Sequence, residues 1–534
     1  MNSADVIARR LHAGGVRHAF GIPGGEVLTL IDALERAGIR FHLAKHENAA
    51  GFMAEGTWHA TGAPGVVVAT VGPGVANAFN VVANAEQDRV PLLVLSGMVD
   101  PVEAMSYTHQ VFDQGAVFAR ICKASLRAPD GAVDVTIDKA LAIATSGRPG
   151  PVHIDLPITV AAADQPDPRP GRPSPDGPSA PAESDALAAA RRRFHAAERP
   201  VMIAGLDVLN EPGGAEALRG FVERHQIPLV TTYKAKGVLP EDHPLALGGH
   251  GLSPRSEKII LDIFARADLV IAAGYDPIEM RVGWRNPWDP SKVIEFAHAP
   301  NDHDMHYSGL SWVCSVAGGL AALEAGGGPS GIWPDGAPAK IRADLIEAFA
   351  PGDDWGPGMA MAEMLSVLPA EAVATVDTGA HRILLSQQFF CTRPRAVLQS
   401  TGLCTMGCAL PLGLGHKIAD PSRPVVTFMG DACLEMVLGE LGTLRDSGLP
   451  IVVVVFVDRS LSLIELKQRG VGLQNAGVDF GRTDFTGLAR LYGGNGVTVS
   501  VPGDAGPALK AALGADRFTL IEVEIPRRAY DGLF

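Results

Sequence analysis

The chain has 534 residues, room for three or four domains at about 150 residues each, which excludes a peptide, a toxin scaffold or a lone binding module. A formal net charge of −14 repels nucleic acid and anionic membrane surfaces, so neither is an expected partner and any anionic ligand must be held by local chemistry. With 61 glycines, 40 prolines and 47% apolar residues, the composition suits many tight turns between buried strands rather than disorder.

In chain order, the first segment, MNSADVIARRLHAGG, lacks the apolar core of a signal peptide. GVVVAT and PLLVLS then read as buried parallel strands, each followed by a turn and a helical pattern. Residues 164–184 are rich in proline, Asp, Gly, Ser and Arg, the composition of an extended surface linker. Beyond it come PVMIAG and ADLVIAAG, again strands, and two Gly/Pro stretches, residues 326–338 and 351–358, that bracket the helical segment DLIEAFA. PVVTFMG and PIVVVVFV supply the last strong strand signals. The expected architecture is α/β, three doubly wound parallel-sheet domains over residues 1–165, 185–325 and 355–530.

One internal echo stands out. Gly72-Pro73-Gly74 opens a helical stretch that ends at Val90-Pro91, and Gly430-Asp431-Ala432 opens another that ends at Leu449-Pro450, at intervals of 19 and 20 residues. Two domains of similar topology are the economical reading. Six cysteines, at positions 122, 314, 391, 404, 408 and 433, form no C-x-x-C pair, and the longest aliphatic run, residues 451–457, is far short of a membrane span. A cytoplasmic protein is expected.

The chemistry concentrates in the last third. A strand ends at Met429, Gly430 turns the chain, and a helix begins whose free N–H groups and dipole suit an anion. Asp431 sits where that anion would bind, and Asp458 follows the next strand, so two hard oxygen ligands converge beside a phosphate site and suggest Mg²⁺. Taken singly, Asp431 reads as a helix N-cap and Asp458 as a turn residue; the pairing and the glycine turn favour the metal. No G-x-G-x-x-G follows a strand, and no P-loop motif occurs.

The stretch from Gly430 to Asp458 resembles the cofactor motif of thiamine diphosphate enzymes, with Gly-Asp-Ala for the usual Gly-Asp-Gly and Asp458 where the second Asn of the family motif stands. Catabolic acetolactate synthases are similar in having Asp at that place. FGIPGGEVLTLIDAL, AKHENAAGFMAEG and TVGPGVANAFNVVANAEQDRVPLLVLSG resemble the pyrimidine-binding domain, which makes Glu47 the carboxyl group that shares a proton with the aminopyrimidine ring. STGLCTMGCALPLGLG resembles the loop that bends the cofactor over Met406 and accepts a hydrogen bond at the Cys404 carbonyl, and VDTGAHR resembles the diphosphate-binding turn. The resemblance thus implies cofactor contacts at Gly379, Ala380, His381, Cys404, Met406, Gly430, Asp431, Ala432, Cys433 and Asp458, with Asp431, Asp458 and Ser460 at the metal.

For the substrate, the segments 108–123 and 272–284 look most like catabolic acetolactate synthases, which implies His109, Gln110 and Lys123 near the substrate and Gly25 leaving room above the thiazolium. Leu463, Ile464 and Lys467 fall where such enzymes shape the acceptor pocket, and a cation at Lys467 would favour an acidic substrate. AGYDPIEM lacks the FAD-contacting arginine pattern of the biosynthetic synthases, so FAD is not expected. The implied activity is decarboxylation of a pyruvate-like 2-oxo acid and ligation to a second carbonyl compound, in a homodimer at minimum and a tetramer by family habit. The alternatives are a simple decarboxylase that releases an aldehyde and a non-catalytic cofactor-binding homologue.

Overall fold

A computed structural model describes residues 1–165, 169–170 and 179–534; of the linker expected over 164–184, residues 166–168 and 171–178 lie outside the described residues. Continuous apolar runs become interior strands because both sheet faces are covered by helices. The first sheet comprises β1 (His18–Ile22), β2 (Arg40–Leu43), β3 (Gly65–Ala69), β4 (Leu92–Met98), β5 (Ala124–Arg127) and β6 (Val152–Pro157). The second holds β7 (Pro200–Ala204), β8 (Leu229–Thr232), β9 (Ala246–His250), β10 (Leu269–Ala273), β11 (Val293–Ala297) and β12 (Leu310–Val313). The third holds β13 (Val373–Val376), β14 (Val397–Gln399), β15 (Val425–Gly430), β16 (Val452–Val457), β17 (Asn495–Val499) and β18 (Thr519–Glu524).

Each strand pair in the three sheets is parallel. The orders are β2-β1-β3-β4-β6-β5 and β14-β13-β15-β16-β18-β17 for the outer sheets, so the first and third have the same topology, which is the physical basis of the echoed spacing. The central sheet runs β12-β11-β10-β7-β8-β9. In such sheets the chain reverses its winding between β1 and β3, between β13 and β15, and between β7 and β10, and ligands bind outside the carboxyl ends of the strands at those points.

Strand alternation builds the cores. Val67 and Val94 face one apolar cluster while Val66, Val68, Leu93 and Leu95 face another on the opposite side of the sheet. The first of these clusters also contains Val453 and Val455 of the third sheet, so the two outer domains share one continuous core. Its centre is the crossing of the helices Glu47–Thr61 and Ala409–Ala419. Glycines make the crossing close: a Cβ on Gly415 would overlap the backbone of Met53, and one on Gly56 would overlap the Leu412 carbonyl and the His416 nitrogen. The helix Ala337–Ala348, which contains part of DLIEAFA, packs Ile341 and Leu345 into the core of the central sheet.

Candidate active site

The carboxyl ends of β13, β15 and β16 deliver the expected cofactor residues to one place. After β13 the chain enters Asp377, Thr378 and Gly379 before the helix Ala380–Gln388; after β15 it enters the helix Asp431–Glu435; after β16 it reaches Asp458. Thr378, Gly379, Ala380, His381, Met406, Gly430, Asp431, Ala432, Cys433, Asp458, Ser460, Leu463 and Ile464 line one cavity of about 110 Å³, with Tyr530 from the C-terminal segment on its wall.

The two acidic residues sit in that wall. Asp431 Oδ1 accepts the N–H of Ala432 at 2.8 Å, and its Oδ2 accepts those of Asp458 at 3.2 Å and Arg459 at 2.7 Å. Burial, reinforced by the neighbouring Asp458 charge, pushes the Asp431 carboxyl up to about 6, against the pull of these N–H groups. Burial likewise raises Asp458, whose carboxylate accepts from the Ser462 hydroxyl and, at 3.3 Å, from the Ser460 N–H. A buried carboxylate repelled by a half-buried one is the donor set a divalent cation relieves. The Ser460 hydroxyl donates to Asp479 at 2.9 Å. Ala432 lies in the first helical turn with no left-handed backbone, so its methyl group costs nothing where the family motif has glycine.

The same cavity wall carries polar atoms without partners. Thr378 Oγ1 and His381 Nε2 are buried and make no hydrogen bond with the described residues. Burial and the adjacent Arg382 guanidinium pull His381 down to about 3, so the imidazole is neutral, with one ring nitrogen to donate, and it is stacked on Phe456 with ring centroids 6.2 Å apart. These orphaned atoms at the start of a nine-residue helix fit a diphosphate.

Asp377 went unremarked within the motif VDTGAHR, yet it organises the site. Fully buried, it accepts the N–H groups of Thr378 at 2.8 Å, Gly407 at 2.9 Å and Ala409 at 3.0 Å, tying the β13 turn to the Met406 loop. Cys433 Sγ donates to the Thr378 carbonyl at 3.2 Å and closes the same turn from the other side. Cys404 adopts a left-handed φ of 53°, and its Sγ accepts from Arg382 at 3.3 Å. Met406 lines a second cavity as well, of about 660 Å³, whose other wall includes His46, Asn48 and Asn77 of the first domain.

Glu47 stands at the carboxyl end of the first sheet. It is the first residue of its helix, 4% exposed, and its Oε2 accepts from Asn77 Nδ2 at 2.9 Å. A Cβ on Gly74 would lie 3.2 Å from Glu47 Oε1, so this glycine is what allows the carboxylate to reach the Gly72-Pro73-Gly74 turn. Glu47 lines neither cavity of its own chain described above.

The expected substrate residues divide. No atom stands within 4 Å of a Cβ on Gly25, so the space above it is open. His109 and Gln110 lie in an exposed segment, and Gln110 packs its backbone and Cβ over Gly72. Lys123 Nζ donates to the carbonyls of Ser146 at 2.6 Å and Arg148 at 2.9 Å. Lys467 is exposed, one helical turn beyond Leu463, and is not in the cavity wall. No group of three or more His, Cys, Asp or Glu able to hold a metal occurs among the described residues, so a cation here would complete its shell with other oxygens.

The chain is similar in sequence to known proteins along most of its length. Family models match three stretches: thiamine pyrophosphate enzyme, N-terminal TPP binding domain, over residues 1–117; central domain, over 187–323; and C-terminal TPP binding domain, over 377–523. An acetolactate synthase of Bacillus subtilis is 28% identical over 98% of this chain and 93% of its own. A probable 2-ketoarginine decarboxylase of Pseudomonas aeruginosa is 32% identical over 98% and 94%, and an acetolactate synthase large subunit of Lactococcus lactis is 30% identical over 98% and 93%.

Proposed function

The chain belongs to the thiamine pyrophosphate enzyme family, and on that premise we propose that it decarboxylates a pyruvate-like 2-oxo acid and ligates the fragment to a second carbonyl compound. Support comes from the unpartnered Thr378 Oγ1 and His381 Nε2 facing the cavity that Asp431 and Asp458 wall, a place built for a diphosphate and its cation. Bound there, thiamine diphosphate supplies the nucleophilic carbon and the electron sink that the side chains lack.

This chain's residues bind, orient and move a proton. His381, Thr378 and the N–H groups from Gly379 onward would hold the diphosphate, and Asp431 and Asp458 would hold Mg²⁺, with Ser460 beside them. Met406 would support the rings, with Cys404 accepting at its carbonyl. Asn77 keeps Glu47 Oε2 as an acceptor, which leaves Oε1 to carry the exchanging proton. Because Glu47 lines neither cavity of its own chain, a second copy brings it to the cofactor, and the working unit is a homodimer or a tetramer of dimers in the cytoplasm. The domains run over residues 1–165, 185–325 and 355–530. Among the described residues no helix is long and apolar enough to cross a membrane.

FAD takes no part in this reading. At the central switch point, Asp207 and Asp276 are buried at the ends of β7 and β10; Arg148 approaches them at 3.6 and 3.5 Å, and Arg89 pairs with Asp276 at 2.9 Å. Both guanidinium groups are taken up by these carboxylates, which leaves neither free for the phosphates of a dinucleotide there.

Incubation with thiamine diphosphate, Mg²⁺ and pyruvate tests the proposal. Acetolactate with CO₂ is the expected outcome. Acetaldehyde alone would favour the decarboxylase reading, to which the 2-ketoarginine decarboxylase relative lends weight. Cofactor binding with no turnover of any 2-oxo acid would leave a non-catalytic homologue.

A further inference from the structure

The carboxyl end of the first sheet carries a second acidic side chain besides Glu47. Glu26 follows β1 and leans across the sheet end: a Cβ on Gly97, in β4, would stand 2.7 Å from Glu26 Cβ. Between them, at the end of β3, Thr70 donates its hydroxyl to Glu26 Oε2 at 2.5 Å. The Thr70 methyl group would lie 3.0 Å from a Cβ on Gly74, and Glu47 Oε1 3.2 Å from it, so a single threonine separates the two carboxylates. Gln110 closes the same crown from above Gly72, and Gln114 Nε2 donates to the Gly97 carbonyl at 3.2 Å. Glu26 therefore stands at the β1/β3 switch point, next in the chain to Gly25, whose Cβ position is open.

Its charge is uncompensated. Glu26 forms no ion pair among the described residues, and its single hydrogen bond, from Thr70, leaves Oε1 without a partner. At a sheet end where ligands bind, a half-buried carboxylate loses water when a ligand covers it, a cost that a cation arriving with the ligand offsets. Of the two lysines expected near the substrate, Lys467 is exposed and outside the cavity wall, and Lys123 is engaged by two backbone carbonyls.

We propose that Glu26 sets substrate charge, so that among 2-oxo acids longer than pyruvate the enzyme takes one whose side chain ends in an ammonium or guanidinium group; this rests on the cofactor-dependent decarboxylation proposed above and widens its donor beyond pyruvate. A guanidinium can donate two parallel hydrogen bonds to the carboxylate, whereas an acidic side chain would meet repulsion from both Glu26 and Glu47.

The test is CO₂ release by the cofactor-loaded enzyme from three compounds: 5-guanidino-2-oxopentanoate, the neutral 2-oxohexanoate and the acidic 2-oxoglutarate, with pyruvate as reference. The wild-type enzyme is expected to prefer the cationic over the neutral acid by about tenfold or more in kcat/KM, mostly through KM, with the acidic one poorest. Glu26→Gln should bring the cationic-to-neutral ratio close to one. Equal turnover of the cationic and neutral acids by the wild-type enzyme overturns the proposal without any variant, and so does a ratio unchanged in Glu26→Gln that melts like wild type. Release of no CO₂ from any of the four overturns the functional reading and this inference with it, a result distinct from equal turnover.

Discussion

Asp431 and Asp458 are joined through the backbone: Oδ2 of Asp431 accepts the Asp458 N–H at 3.2 Å across the ends of adjacent strands β15 and β16. The carboxylate that caps one strand end thereby fixes the direction in which the next leaves the sheet. Two acidic groups in separate parts of the sequence become one charged wall.

If that wall holds Mg²⁺, Asp458→Ala removes one anionic ligand while leaving the Asp458 N–H on Asp431 intact. Mg²⁺-dependent binding of thiamine diphosphate, followed by titration calorimetry, should weaken by about tenfold or more. An unchanged affinity takes Asp458 out of the metal site.

Much of this was legible in the sequence because of where apolar runs stop. GVVVAT, PVVTFMG and PIVVVVFV are buried on both faces, so each announces an interior strand, and the first polar residue after each lies at a ligand-bearing sheet end. Edge strands gave no such signal: Arg40–Leu43 and Asn495–Val499 are largely exposed and carry no continuous apolar run. Long-range partners were equally silent. Nothing in the local pattern says that Lys123 reaches the carbonyls at 146 and 148, that Asp377 gathers three N–H groups from two loops, or that Tyr530 returns to the cavity wall. Lys467 shows the limit of helical phase alone: it shares a face with Leu463 but lies a turn past the cavity.

The glycine crossing between the two outer domains gives a stability prediction. Gly415→Val places a branched side chain into the backbone of Met53, and neither helix can move without opening the shared core. Overpacking of this kind costs about 1–3 kcal/mol and should lower the thermal midpoint by roughly 1–4 °C in a protein of this size, read by calorimetry. A midpoint equal to wild type would mean that the helices do not cross this closely.

A buried carboxyl at the junction of the domains gives a pH dependence. Glu279, paired with Arg382 at 2.8 Å, is pushed up to about 7 by burial, against the attraction of that guanidinium. Its folded value exceeds its unfolded value of about 4.5, so its contribution is complete below pH 4.5 and is lost as pH rises through 7. The midpoint of Glu279→Gln should fall less than that of wild type between pH 5 and pH 8. Parallel curves for the two proteins would remove Glu279 as the source.

Glu47 carries the central claim, that this chain builds a working thiamine diphosphate centre. The direct measurement is exchange of the cofactor's C2 proton for deuterium, followed by NMR after acid quench, in wild type and Glu47→Gln. The account predicts that the variant still binds the cofactor and that exchange slows by about 10²-fold or more. Exchange at the wild-type rate in a variant with cofactor bound would contradict it.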